Sequence, residues 1–193
     1  MVAATVVVNE INGATDAKTL TLCSGGTTSY FRASDAHSNS TPSYKLPIPA
    51  SGINYSYWKS YYAAVTANAS SNTLDNWCFY LSDYSDWTTK LGSSGAIKAG
   101  KNSTGSYGMK ISTKYVQSTG QSDSNGWAGI ELTAGHANVT SVVAAPTAAA
   151  QYDATPITST GSSKFFVLQL HIDTDATFGE LGALAAHVRY DES

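Results

Sequence analysis

Charged side chains are scarce in this chain. Asp, Glu, Lys and Arg make up 13% of its 193 residues, against about a quarter in an ordinary globular domain. The net charge is −3, from which no basic patch follows, so no nucleic-acid partner is expected, its binding having no electrostatic support. No apolar run approaches the roughly 18 residues that a membrane-spanning helix needs. Cysteine is limited to Cys23 and Cys78, a pair that either bridges two sheets or stays as two buried thiols. The opening MVAATVVVNEI has neither the basic start nor the long apolar centre of a secretory signal. Either the protein is made and assembled in the cytoplasm, or a leader has been removed. Also missing are a Walker loop, a G-x-G-x-x-G turn, an H-E-x-x-H pair, a C-x-x-C pair and a G-x-S-x-G elbow. No catalytic residue can be named, and the expectation is a protein that is not an enzyme and holds no cofactor or metal.

What is present favours strands. Hydrophobic residues make up 42% and aromatics 11%, with 12 Tyr and 16 Gly, a composition that suits pleated, half-buried surfaces separated by turns. Lys164–Ser193 organises the reading. KFFVLQLHI puts Phe166, Leu168, Leu170 and Ile172 on one face and Gln169 and His171 on the other. ALAAHVRYDE puts Leu184, Ala186, Val188 and Tyr190 on one face and His187 and Arg189 on the other. Joined by a polar, Gly-bearing turn, the two predict a half-buried antiparallel hairpin. Further strands are expected at Val2–Ile11, Lys18–Cys23, Tyr55–Thr66, Leu74–Ser82, Ala96–Ala99, Tyr107–Val116 and Trp127–Thr133. Val139–Ser163, with Pro146 and Pro156, is expected to lie extended over the surface. No amphipathic helical pattern and no internal repeat appears. Eight to ten short strands in one domain, residues 1–193, predict an all-β antiparallel sandwich of immunoglobulin-like or jelly-roll-like kind.

Few clusters suggest chemistry. His171 and His187 would share the wet face of the hairpin and could bind a metal with Asp173 or Asp175, but no tight ligand spacing supports it. The run Asp173–Glu180 offers oxygen ligands without an EF-hand pattern, and Asp in a turn commonly bonds its own backbone. Asp83 and Asp86 read as turn residues rather than a glycosidase pair. N-x-S/T triplets occur at Asn39, Asn54, Asn68, Asn102 and Asn138; about two or three would arise by chance in so Ser- and Thr-rich a chain, and they say little. The aromatic run from Tyr55 to Tyr62 has more functional content, since both faces of one strand carry rings. Tyr55, Tyr57 and Tyr61 are read as an interface, and Trp58, Tyr84 and Trp87 as a glycan-stacking alternative. The β-branched start, residues 2–11, carries no charge before Glu10. It is expected either inside its own sheet or paired with a neighbouring subunit through Val2, Val6, Val7 and Val8.

Several stretches carry a resemblance. The D-A-T-x-G turn at Asp175–Gly179 looks like the closing turn of immunoglobulin-like sandwiches, although the Cys…Trp…Cys spacing of true immunoglobulin domains is absent. NEING at Asn9, PIPASGINYSYWK at Pro47, and DTDATFGEL with VRYDE near the end resemble uncharacterised virion structural proteins of bacterial and archaeal tailed viruses. That resemblance implies a decoration, cement or fibre-type role and assigns no functional residue. The expected function is therefore non-enzymatic assembly on a larger particle, a virion built in the host cytoplasm, through self-association or a capsid protein. The alternatives are a carbohydrate-binding or adhesive surface module and an extracellular filament subunit joined by strand exchange.

Overall fold

The computed structural model describes residues 3–14, 16–24, 29–37, 45–82, 85–100, 115, 117–118, 120–121, 136–138, 151–179 and 185–193. In chain order the elements are β1 (Thr5–Asn12), β2 (Thr19–Leu22), β3 (Asn54–Tyr55), β4 (Lys59–Ala67), β5 (Leu74–Ser82), α1 (Ser85–Lys90), β6 (Ala96–Gly100), β7 (His136–Asn138), β8 (Gln151–Asp153), β9 (Gly161–Ser162), β10 (Phe166–Ile172) and β11 (Ala185–Glu192). The strands form two antiparallel sheets. The larger has eight strands, ordered β2-β1-β4-β10-β6-β7, with β3 also beside β10 and β9 beside β4; the smaller is β11-β5-β8. Among the described residues no helix is long and apolar enough to cross a membrane.

Phe166 joins the sheets. Its ring is 1% exposed, stacks on Tyr61 of β4 at 5.3 Å, and meets Phe79 of β5 at 4.5 Å and Tyr152 of β8 at 5.0 Å. Trp77, Leu74, Val65, Leu168 and Leu170 complete this inter-sheet core. The all-β sandwich expected from composition and alternation is what forms, and β5 spans the Leu74–Ser82 stretch that alternation predicts.

The C-terminal hairpin does not form. β10 lies in the larger sheet and β11 pairs with β5 in the smaller one. Both edges of β10 are already taken, by β4 and β3 on one side and β6 on the other, so no backbone groups remain for β11. The chain is also led away after Ile172. Asp173 and Asp175 accept the N–H groups of Ser94 and Ser93, each at 2.9 Å, while Asp173 N–H and Thr177 N–H bond the carbonyls of Leu91 and Lys90. These bonds hold the loop against the end of α1. There Gly92 turns with φ +88, and a Cβ would strike the side chains of Asp173 and Asp175, so a residue without one ends this helix.

All seven residues of β10 are buried, so Gln169 and His171 are not on a wet face. A second correction concerns the aromatic run. Tyr55 pairs with His171, and Lys59 pairs with Leu168; four steps along one chain oppose three along the other. This one-residue bulge reverses which face each side chain takes. Tyr55 therefore falls on the His171 side, whereas Lys59, Tyr61, Ala63 and Val65 point to the inter-sheet core.

β1 pairs with β4 from Thr5 to Ile11, and β2 covers its other edge only from Asn9 to Asn12, which places the N-terminal strand in its own sheet. β8 and β9 arise within Val139–Ser163, and Tyr152 there is core rather than surface cover. Cys23 and Cys78 are both free. The strands expected at Tyr107–Val116 and Trp127–Thr133 lie outside the described residues, apart from Tyr115.

Candidate functional site

Two opposite charges sit on the inward face of the larger sheet, where alternation would otherwise put apolar side chains. Glu10 lies across from Tyr61, and Lys59 stands two residues before Tyr61 on the same face. Such diagonal neighbours are about 7–8 Å apart at the backbone, within reach of long side chains. Lys59 Nζ donates to Glu10 Oε1 at 2.9 Å, and both side chains are 0% exposed. Nζ also donates to the carbonyl of Ala36. Glu10 Oε2 accepts from Ser29 Oγ at 2.6 Å and from His37 Nδ1 at 2.7 Å, and Ser29 Oγ lies 2.8 Å from the Tyr61 hydroxyl.

The loop of residues 29–37 supplies the lid. Its Asp35 accepts from Asn12 Nδ2 at 3.2 Å and from Gly13 N–H at 2.9 Å, and its Arg32 carbonyl accepts Tyr57 N–H at 2.8 Å. The loop is thus fastened to β1 on one side and to the chain before β4 on the other. Phe31 meets Trp87 edge-on at 6.4 Å.

Removing two ions from water is costly unless hydrogen bonds satisfy them. Here the carboxylate accepts three and the ammonium donates two. Burial is the largest influence on Lys59 and lowers its proton affinity, opposed by the charge and hydrogen bond of Glu10. Burial first, then the Glu10 charge, raises the Tyr61 phenol well above its ordinary value and pushes the Cys23 thiol up to about 11.

Glu10, Cys23 and His37 present ligand atoms within 4.8 Å of one another. A divalent cation at Glu10 Oε2 would have to displace the hydrogen bonds from Ser29 and His37 and use a sulfur whose proton affinity burial has raised. The donor set therefore suits a proton-rich polar cluster better than a cation. With Glu10 and Lys59 wholly buried, its chemistry is internal: an amine nitrogen against a carboxyl group whose other oxygen is met by two proton donors.

The residues singled out in the sequence lie elsewhere or serve packing. Val6, Val7 and Val8 are half-buried in β1; Val2 lies outside the described residues. Tyr55 is half-buried with its ring 4.6 Å from that of His171, and Tyr57 is half-buried. Tyr61, Trp58 and Trp87 are core residues, so they offer neither an exposed interface nor a sugar platform; Tyr84 lies outside the described residues. The reason is the bulge before β4, which sends Tyr61 inward, and the lid, which covers Trp87. His171 is buried in the larger sheet and hydrogen-bonds Gln169, whereas His187 faces Tyr80 across the smaller one, so the histidines are not brought together. Asp173 and Asp175 hold the turn after α1. Asp83 lies outside the described residues and Asp86 falls in α1.

The Glu10–Lys59 cluster was not foreseen. One signal was there to read: Lys59 interrupts an inward row of Tyr61, Ala63 and Val65, and Glu10 interrupts a β-branched strand. Two opposite charges at buried-face positions of neighbouring strands imply a partner for each. Comparison of the chain with protein-family models, curated proteins and solved structures finds no match.

Proposed function

We propose that this chain is a non-enzymatic structural protein that assembles on a larger particle, as a decoration, cement or fibre-type component of a virion. One observation supports assembly above others. β2 ends the larger sheet, and among the described residues it has a strand on one side only. Its four residues, TLTL, contain no charge and no proline, the devices that usually blunt an edge. Leu20 and Leu22, two residues apart on one face, are each 51% exposed. An unguarded edge with a paired apolar row suits strand addition by a neighbouring subunit, in which main-chain bonds give affinity and the leucines give register. With Tyr61 in the core, β2 adds Leu20 and Leu22 to the interface expected at Val2, Val6, Val7 and Val8, beside which it lies. With Trp58 and Trp87 inside, the glycan reading loses two of its three stacking residues.

The test is the mass of the native species in solution. Wild type is expected as a discrete oligomer, and a Leu20→Lys/Leu22→Lys double variant as a monomer with an unchanged melting temperature. A wild-type protein that is monomeric at every concentration, or a double variant that still assembles, would refute the edge. The virion assignment is checked by finding the chain among the proteins of purified virus particles.

A further inference from the structure

Lys59 and Glu10 are placed to react with each other. Their contact joins adjacent strands, β1 and β4, and both side chains are fully buried. A nitrogen hydrogen-bonded to Oε1 at 2.9 Å is one C–O bond removed from the carboxyl carbon it would attack, and attack proceeds from a separation of about 3–3.5 Å. The second nitrogen contact, to the Ala36 carbonyl, limits rotation of the amine. The oxygen that would leave, Oε2, carries the two donors Ser29 Oγ and His37 Nδ1, with the Tyr61 hydroxyl behind Ser29.

We propose that Lys59 and Glu10 condense to an intramolecular isopeptide bond between Nζ and Cδ, stapling β1 to β4 inside the core. A proton first passes from the ammonium to the carboxylate along their hydrogen bond, leaving an amine and a carboxylic acid. The nitrogen lone pair then forms the bond to Cδ. In the tetrahedral adduct Oε2 is held by His37 and Ser29. A second proton passes from Nζ to Oε2 through these donors, the proton on Oε1 follows to the departing oxygen as the Cδ–Oε1 carbonyl re-forms, and the Cδ–Oε2 bond breaks as water departs. An ammonium and a carboxylate become one amide and one water, with no oxidant, reductant or activating group required.

The environment favours both ends of this path. Burial disfavours the charged pair and so raises the share of the neutral, reactive one, in keeping with the lowered proton affinity of Lys59. The amide carries no charge, and its formation removes the cost of two buried ions. Lys59 and Glu10 are the reacting groups, His37 the proton carrier, and Ser29 and Tyr61 positioning residues. This inference stands apart from the assembly reading, since it concerns bonds within one chain.

Intact mass spectrometry of the denatured wild-type protein tests it. The expected mass is lower than that of the sequence by one water, about 18 Da, and fragmentation should yield a branched peptide containing both Glu10 and Lys59. Glu10→Ala and Lys59→Met should each restore the full mass. His37→Ala, which retains both reacting groups, should give a mixture that converts slowly to the lighter form. A folded wild-type protein that keeps its full mass on prolonged incubation would overturn the proposal and leave an ordinary buried ion pair. A missing water that maps to any other residue would overturn it equally.

Discussion

Phe166 provides the most direct test of how the sheets are held together. It comes from the larger sheet, is 1% exposed, and touches Phe79 and Tyr152 of the smaller sheet at 4.5 and 5.0 Å. A buried phenylalanine removes about 150–250 Å² from water; at about 25 cal/mol per Å² this is worth about 4–6 kcal/mol. Large-to-small replacements of this kind cost about 3–5 kcal/mol, so Phe166→Ala should cost about 4 kcal/mol. For a chain of this size each kcal/mol lowers the melting temperature by about 2–4 °C, giving a drop of about 8–16 °C. Phe79→Ala should behave similarly. Because the rings meet, the double variant should lose less than the sum, by about 0.5–1.5 kcal/mol. Phe178→Ala is the control, since that ring is 93% exposed and its loss should fall within about 0.5 kcal/mol. Urea unfolding followed by tryptophan fluorescence, with calorimetry alongside, measures all four proteins. A Phe166→Ala cost near that of Phe178→Ala, or strict additivity of the two core variants, would refute this docking of the sheets.

Three further outcomes are expected. Lys59→Met should destabilise by at least about 3–5 kcal/mol, because it removes the link between β1 and β4, whether ion pair or amide, and leaves the Glu10 carboxylate buried without a partner; an unchanged urea midpoint would contradict this. Asp153 should contribute to acid unfolding. Burial alone would raise its pKa, but hydrogen bonds from Lys164 N–H and Thr155 together hold the carboxyl below the ordinary value. Its stabilisation is therefore complete above the unfolded pKa near 4 and is lost as pH falls through the lower folded value. Asp153→Asn should flatten the stability profile below pH 4, and a profile as steep as wild type would show that other carboxylates carry it. Removing Tyr190–Ser193 should lower the melting temperature measurably, since Tyr190 packs on Trp77 at 5.0 Å and Ser193 exchanges two backbone bonds with Thr73; an unaltered transition would mean that this end of β11 is dispensable.

Local pattern was enough to determine several elements and the fold class. β5 with Trp77 and Phe79 inward, the runs of β10 and β11, and the sandwich itself follow from alternation and from the absence of helical periodicity, because side-chain direction in a strand depends only on neighbours in the chain. Which strand lies beside which is decided by backbone groups far apart in sequence. β11 could not join β10 once β4, β3 and β6 had taken both of its edges, and Asp173 and Asp175 found their donors in Ser93 and Ser94. A single extra residue before β4 sent Tyr55 to one face and Tyr61 to the other, a change of parity that local alternation cannot reveal. The Glu10–Lys59 cluster shows the same division. The sequence states that each charge interrupts a strand, but only the pairing of β1 with β4 and closure of the 29–37 loop bring them to 2.9 Å with Ser29 and His37. Burial and contact are properties of the assembled sheets, and they decide what these two charges can do.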